Sequence, residues 1–311
     1  RVFIACCAKC HAYHRGSPPK QGNLQPMIIG SPAERWSLDL TGPHPTSSDQ
    51  YKYIFTAICA FTKYAIAVPI RNKEASTVAR AIMEHIFLKF GLCHEILTDL
   101  GGEFEASLTL ELFKLLGIRK LRTSGYRPQT NGACEAQHKV LNKILAQVML
   151  ESQRDWSKWV SYATFCYNVT EHSSTSFSPF FLFHGRDARW NIDFLLDGIE
   201  PGHDTPANYA SEMIDRLDKC FRLTRDQLGR AAEQASTWYN RRVSQQTFCP
   251  GQEVRVYNPR RFKRRSPKWQ SFYKDVGIVE RRLNEVTYVI KVNGHSKIFH
   301  VDKLRLVRTF E

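Results

Sequence analysis

Two acids with 35 residues between them, Asp99 and Glu135, bracket the stretch that most constrains this chain. The run His94-Glu95-Ile96-Leu97-Thr98 ends on Asp99, close to Gly101 and Gly102. An amphipathic helix and a short strand are predicted next, then a loop rich in Gly, Pro and Asn, then a helix opening around Glu135. A third acid, Asp39, stands inside the apolar run Trp36-Ser37-Leu38-Asp39-Leu40, with 59 residues between it and Asp99. Carboxylates inside or at the ends of apolar strands are costly when unpaired. A hard divalent cation is one way to hold them, since Mg²⁺ is bound by a few carboxylates and otherwise by water and phosphate oxygens.

The elements around these acids follow from hydrophobic period. Trp36, Leu38 and Leu40 alternate with Ser37, Asp39 and Thr41, which predicts a strand with Asp39 on its less apolar face. Tyr53 to Phe61 reads as a central strand, and Tyr64 to Ile70 as a third, with Pro69 at an edge or terminus. A helix over 74–90 carries Val78, Ile82, Ile86 and Phe90 at steps of four, and Gly91 stops it. The helix over 106–116 is predicted with Leu108, Leu112, Leu115 and Leu116 inward, followed by a strand from Ile118 to Thr123. On the helix after Thr130, Glu135, His138, Lys139 and Asn142 share one face, opposite Val140, Leu141, Ile144, Leu145 and Val148. For Glu135 alone, a solvated pair with Lys139 is the simpler account. Strands first, then alternating strands and helices, imply α/β architecture with a mixed sheet.

Beyond this region an aromatic-rich helix is expected over 155–171, then a loop through Ser178-Pro179-Phe180-Phe181. A long helix from about Ala207 to Asn240 carries Ile214, Leu217, Phe221, Thr224, Leu228, Ala231, Ala235 and Trp238 at alternating steps of three and four. That stripe fits either a dimerising helix or one packed on a neighbouring domain. From Pro250 the pattern turns all-β, with Asn293-Gly294 a strong hairpin signal, and a small barrel is expected.

Charge points to the partner. The chain of 311 residues carries 44 Lys+Arg against 30 Asp+Glu, and Arg241 to Glu311 alone holds 17 against 6. A basic protein of this kind suits a polyanion, nucleic acid being the commonest. The loop Pro259 to Trp269 concentrates Arg260, Arg261, Lys263, Arg264, Arg265 and Lys268 with aromatic neighbours, as phosphate neutralisation and base stacking require; a solvated charge run or a nuclear localisation signal has the same composition. Nine cysteines without a framework of spacings suggest a reducing, intracellular compartment. Cys7-Ala-Lys-Cys10 has the spacing of half a zinc site, with ordinary reduced thiols as the alternative. The most apolar region, Tyr53 to Ile70, is interrupted by Thr56, Thr62 and Lys63, so no membrane span is expected. No signal peptide is read, and an opening Arg rather than Met suggests a piece of a larger product.

These residues together resemble the integrases of gypsy-type long-terminal-repeat retrotransposons, relatives of retroviral integrases. Glu34-Arg-Trp-Ser-Leu-Asp39-Leu-Thr-Gly-Pro43, Phe61-Thr-Lys-Tyr64, Thr98-Asp99-x-Gly-x-Glu-Phe104 and Tyr126-Arg-Pro-Gln-Thr-Asn-Gly-x-x-Glu135 are similar to that family's catalytic core. Cys7 and Cys10 resemble the second half of its His-His-Cys-Cys zinc domain, and the segment ending His300-Val-Asp-Lys-Leu304 resembles its C-terminal domain. Ala60 departs from the Asp usual before Phe-Thr-Lys, and Tyr273-Lys-Asp-Val-Gly277 from the common Gly-Pro-aromatic. The resemblance implies a zinc-domain remnant over 1–30, a ribonuclease H-like core over 31–190, a helical linker over 191–245 and a basic SH3-like barrel over 246–311.

It also implies a chemistry. Asp39, Asp99 and Glu135 would hold Mg²⁺ or Mn²⁺, as two ions, and transfer polynucleotide ends by phosphoryl transfer. Gln129, His138 and Lys139 would position DNA near them, within a homo-oligomer acting on DNA or chromatin in the nucleus. Two rivals stand beside it: a host-adopted, non-catalytic relic that binds DNA, and a scaffold whose acids only pair with Lys and Arg.

Overall fold

The computed structural model describes residues 30–99, 101–122, 140, 143, 153–189, 206–241, 243, 246–258, 272–273 and 275–307. The described chain divides into two units, one over Met27–Ala231 and the other including Ala232–Glu311.

The first unit is built on strands β1 (Arg35–Thr41), β2 (Tyr53–Cys59), β3 (Ala65–Ile70), β4 (Glu95–Thr98) and β5 (Arg119–Arg122). Their order is β3-β2-β1-β4-β5. β1 runs antiparallel to β2 and parallel to β4, and β4 runs parallel to β5, so the sheet is mixed as expected. Pro69 lies on β3, an edge strand, where a missing N–H breaks no ladder. β2 is buried almost throughout because both its faces are covered, hence its continuous apolar sequence. The helix after β3 starts as α1 (Ala75–Ile82) and continues through a π-helical turn (Met83–Phe87) to Leu88–Phe90. Val78, Ile82 and Ile86 are fully buried against Trp36, Leu38, Phe55 and Phe61, as their spacing predicts.

The helices after β4 are α2 (Gly102–Glu105) and α3 (Ser107–Leu115). Here the expected inward face is corrected in part, for Leu116 packs on the core as expected. Leu108 and Leu115 are 49% and 85% exposed, whereas Thr109 and Phe113 are buried. Phe113 joins Phe104 in the core, and Thr109 Oγ1 donates to the Glu103 carbonyl at 3.1 Å. A four-step pair that includes one aromatic ring outweighs a leucine stripe, because the ring buries more area.

A second correction concerns Ser178 to Phe181, expected as loop. After α4 (Trp156–Val169) the chain forms α5 (Pro179–His184). Ser178 caps it by accepting the Phe181 N–H at 3.0 Å, Pro179 sits in the first turn, and Gly185 ends it with φ 75°. The capped start and the Gly stop are local signals that the run of aromatics obscures. Phe183 then packs with Phe90 (4.8 Å between ring centroids) and Trp36 (6.1 Å). Ser178→Ala is expected to lower stability by about 1 kcal/mol, measured as a shift in the urea midpoint without a change in slope.

α6 (Pro206–Asn240) is the long helix. Within the first unit its stripe packs on the core: Phe221 meets Phe61 edge-on at 5.6 Å, Thr224 is fully buried, and Arg225 Nε donates to the Gly30 carbonyl at 2.6 Å. Ile214 and Trp238, also on the expected stripe, are more than half exposed.

The second unit has β6 (Glu253–Val256), β7 (Asp275–Asn284), β8 (Thr287–Val292), β9 (His295–His300) and β10 (Leu304–Leu306), in the antiparallel order β10-β6-β7-β8-β9. It is compatible with an SH3-like domain. Asn293 and Gly294 join β8 to β9 with φ 50° and 80°, the two positive angles a two-residue hairpin turn needs. Val254, Tyr288, Ile290 and Leu304 form its buried centre. Among the described residues no helix is long and apolar enough to cross a membrane.

Candidate metal centre

Asp39 and Asp99 come out at the same end of neighbouring parallel strands. β1 and β4 pair with Ser37 opposite Leu97. Each acid lies two residues further along its own chain, Asp39 within β1 and Asp99 directly after β4. Adjacent strands lie about 4.8 Å apart, and a step of two keeps each side chain on the face of its starting residue. The two acids thus emerge at the carboxyl ends of adjacent parallel strands, where open α/β sheets bind ligands. Both are half-buried.

Each acid is held by its backbone. The Thr56 hydroxyl, fully buried on β2, donates to the Asp39 carbonyl at 3.1 Å. Asp39 Oδ1 accepts the N–H of Leu40 at 2.8 Å. Asp99 Oδ1 accepts the Gly101 N–H at 2.9 Å, which turns the chain from β4 into α2. Such a turn is ordinary for Asp two residues before a Gly, and it also fixes the side chain. A Cβ on Gly101 would lie 2.9 Å from both Asp99 Oδ1 and Glu103 Oε1. With φ −58° and ψ 136° the backbone itself would accept alanine. Gly101→Ala is therefore expected to change stability by less than about 1 kcal/mol yet displace the Asp99 carboxylate. A crystal structure of the variant beside a thermal melt checks the two effects separately.

Two cations of β5 are engaged by Glu105. Thr98 pairs with Arg122 across β4 and β5, and Arg122 Nη2 lies 2.8 Å from Glu105 Oε2. Lys120 Nζ meets Glu105 Oε1 at 2.7 Å and also donates to the Phe104 carbonyl. Among the described residues Asp99 makes no ion pair. His44, in the turn after β1, meets Thr41 Oγ1 through Nε2 at 3.1 Å. Burial lowers its pKa and so favours the neutral ring.

Glu135, Gln129, His138 and Lys139 lie outside the described residues, as do Cys7, Cys10, Arg260, Arg261, Lys263, Arg264, Arg265 and Lys268. Among the described residues no three His, Cys, Asp or Glu side chains converge to hold a metal. What sequence reasoning missed lies at the other end of the same strands. Arg35, Glu95 and Arg119 stand in one register row across β1, β4 and β5. The buried Glu95 carboxylate pairs with both guanidinium groups, with Arg35 Nε at 2.6 Å from Oε2. The three residues are far apart in sequence, so no local period reveals them.

A mixed sheet in this order, with two acids at the carboxyl ends of its central parallel pair, defines a ribonuclease H-like core. Comparison with known proteins sharpens the class. Residues 30–128 match the Integrase core domain family. The Pol polyprotein of transposon 412 from Drosophila melanogaster is 31% identical over 285 residues, 90% of this chain and 23% of that polyprotein. The Gag-Pol polyprotein of avian reticuloendotheliosis virus is 25% identical over 310 residues, 98% of this chain and 25% of that one. The Gypsy retrotransposon integrase-like protein 1 of Macaca fascicularis is 28% identical over 203 residues, 64% of this chain and 36% of that protein. The chain thus spans about a quarter of the length of the two polyproteins. Among solved structures, a chain of the simian T-cell lymphotropic virus intasome in complex with PP2A regulatory subunit B56 gamma shares the fold, with TM-score 0.58 and 13% identity, covering 98% of this chain and 88% of that one. Residues 30–128 thus carry an integrase core domain, and over most of its length the chain is similar to polyproteins of retrotransposon and retroviral type.

Proposed function

We infer that this integrase trims the 3′ ends of element DNA and joins them to target DNA by metal-dependent phosphoryl transfer. The observation that carries the reading is the in-register emergence of Asp39 and Asp99 from adjacent parallel strands of an integrase core domain. Their donor set fits Mg²⁺ or Mn²⁺, since both offer hard carboxylate oxygens at a half-open site. Glu135 would be the third ligand. When bound, two such ions would polarise the scissile phosphate and stabilise charge on the attacking and leaving oxygens.

The chain's own part is positional. Asp39 is anchored through β1, whose Trp36 and Leu38 are fully buried, so its carboxylate has little freedom along the strand. Asp99 is aimed by the Gly101 N–H. Glu105 holds Lys120 and Arg122 in ion pairs on β5. Gln129, His138 and Lys139 would orient the DNA, and Arg260, Arg261, Lys263, Arg264, Arg265 and Lys268 would contact its backbone. On this reading the chain works as a homo-oligomer on DNA in the nucleus, with chromatin as its setting. Cys7 and Cys10 would contribute two thiolates to a Zn²⁺ site, with His11 and His14 as candidate partners.

The test is an end-joining assay with labelled element-end duplexes and Mg²⁺, on the full chain. Joined products that disappear on chelation are expected. Duplex binding without joining under any divalent ion would favour the non-catalytic DNA-binding reading instead.

A further inference from the structure

The basic loop 259–271 is not the only cationic feature of the second unit. β10 pairs antiparallel with β6, and Arg305 stands directly opposite Arg255. Their neighbours Val254, Val256 and Leu304 are buried, so strand alternation turns both arginines to the outer face together. Like charges directly opposite each other destabilise a sheet. Among the described residues neither guanidinium lies within ion-pairing distance of a carboxylate.

Both are nevertheless held in place. The Arg305 guanidinium carbon lies 4.6 Å from the centroid of the Tyr273 ring. Arg255 Nη1 donates to the Tyr273 carbonyl at 3.3 Å, and its buried Nε has no hydrogen-bond partner among the described residues. Tyr273 is fully buried and packs on Tyr257, which in turn meets Phe272. Burial pushes the Tyr273 phenol up to about 12, with Arg305 acting in the opposite direction, so the ring supplies a face and not a counter-charge. Beside this cluster the Asn258 N–H donates to the Phe272 carbonyl at 2.7 Å.

We propose that Arg255 and Arg305, braced by Tyr273, form a seat for one phosphodiester group of a DNA backbone. The proposal rests on the reading of this chain as a protein that acts on DNA. Two guanidinium groups fixed by packing offer planar N–H donors with little ordering left to do on binding, which is the geometry that favours Arg over Lys for phosphate. An anion shared between them converts the cross-strand repulsion into attraction. The excess of 17 Lys+Arg over 6 Asp+Glu from residue 241 onward favours a polyanion over an isolated carboxylate.

The full chain would be titrated onto a short fluorescent duplex across a salt series. Arg255→Gln with Arg305→Gln is expected to weaken binding at least tenfold and to make the slope of log affinity against log salt shallower by about 0.9 for each phosphate that the variant no longer neutralises. Replacing both arginines by Lys should keep the slope and weaken affinity several-fold. The same change of charge on the exposed side of α6, Lys219→Gln with Arg222→Gln, should leave the slope unchanged. An unchanged slope in a folded Gln variant would overturn the seat, and so would an equal weakening in the α6 control. If the Gln pair unfolds, Arg305→Lys alone decides, because full affinity in that variant would also overturn the seat. Failure of the unaltered chain to bind duplex would be a different result, since it refutes the DNA reading itself.

Discussion

Asp99→Asn is expected to abolish joining of DNA ends while duplex binding and stability persist. Asparagine keeps the Oδ1 acceptor that takes the Gly101 N–H, so the turn from β4 into α2 is retained. What disappears is one negative charge at a half-open position beside β1. Charge stabilisation through a bound metal contributes several kcal/mol to phosphoryl transfer, and each 1.4 kcal/mol is about tenfold in rate, so a loss of roughly 1000-fold or more is expected. The measurements are single-turnover joining with Mg²⁺, duplex affinity, and a thermal midpoint. A variant that still joins ends at near wild-type rate would remove Asp99 from the metal centre. A variant that melts early would instead show that Asp99 matters for folding.

The second large effect concerns stability. Glu95→Gln is expected to cost about 3 kcal/mol, because it removes the carboxylate paired directly with the buried Arg35 guanidinium and leaves only the attraction of Glu34. Arg35 is 8% exposed, and burial already lowers its pKa, a sign that this site disfavours a bare cation. The partner on the other side behaves differently. The Arg119 side chain is 70% exposed, so Arg119→Ala should cost no more than about 1 kcal/mol. Replacing Arg35 and Glu95 together by methionine should restore much of the loss, since a buried pair is often no better than packed apolar groups of similar volume. Urea unfolding of the parent and these three variants tests the contrast. A Glu95→Gln protein within about 1 kcal/mol of the parent would mean that water reaches Arg35.

These two acids show what pattern reading can and cannot see. Asp99 is conspicuous because it ends an apolar run beside two glycines. Glu95, four residues earlier, looks like part of that run. Its role depends on Arg35 and Arg119, brought into one row only when β1, β4 and β5 align in parallel. Leu108 and Leu115 mark a related limit. A nine-residue helix carries two overlapping stripes, and only the slot beside Phe104 decides that Phe113 turns inward. α5 is hidden for a different reason, because its caps lie next to four consecutive apolar or aromatic positions that suit either a loop or a helix.

Local periodicity by itself determined the strands β1 to β3, the helix that begins at α1, the long helix α6 and the hairpin at Asn293-Gly294, since each depends on side-chain spacing or backbone angles within a few residues. The motif flanks, taken together, pointed to the integrase core domain. Only the tertiary structure decided that Asp39 and Asp99 emerge side by side, that Glu105 keeps Lys120 and Arg122 occupied, and that Arg255 stands opposite Arg305. Those relations come from strand order and register, which arise when distant segments of one chain bury their apolar faces against each other.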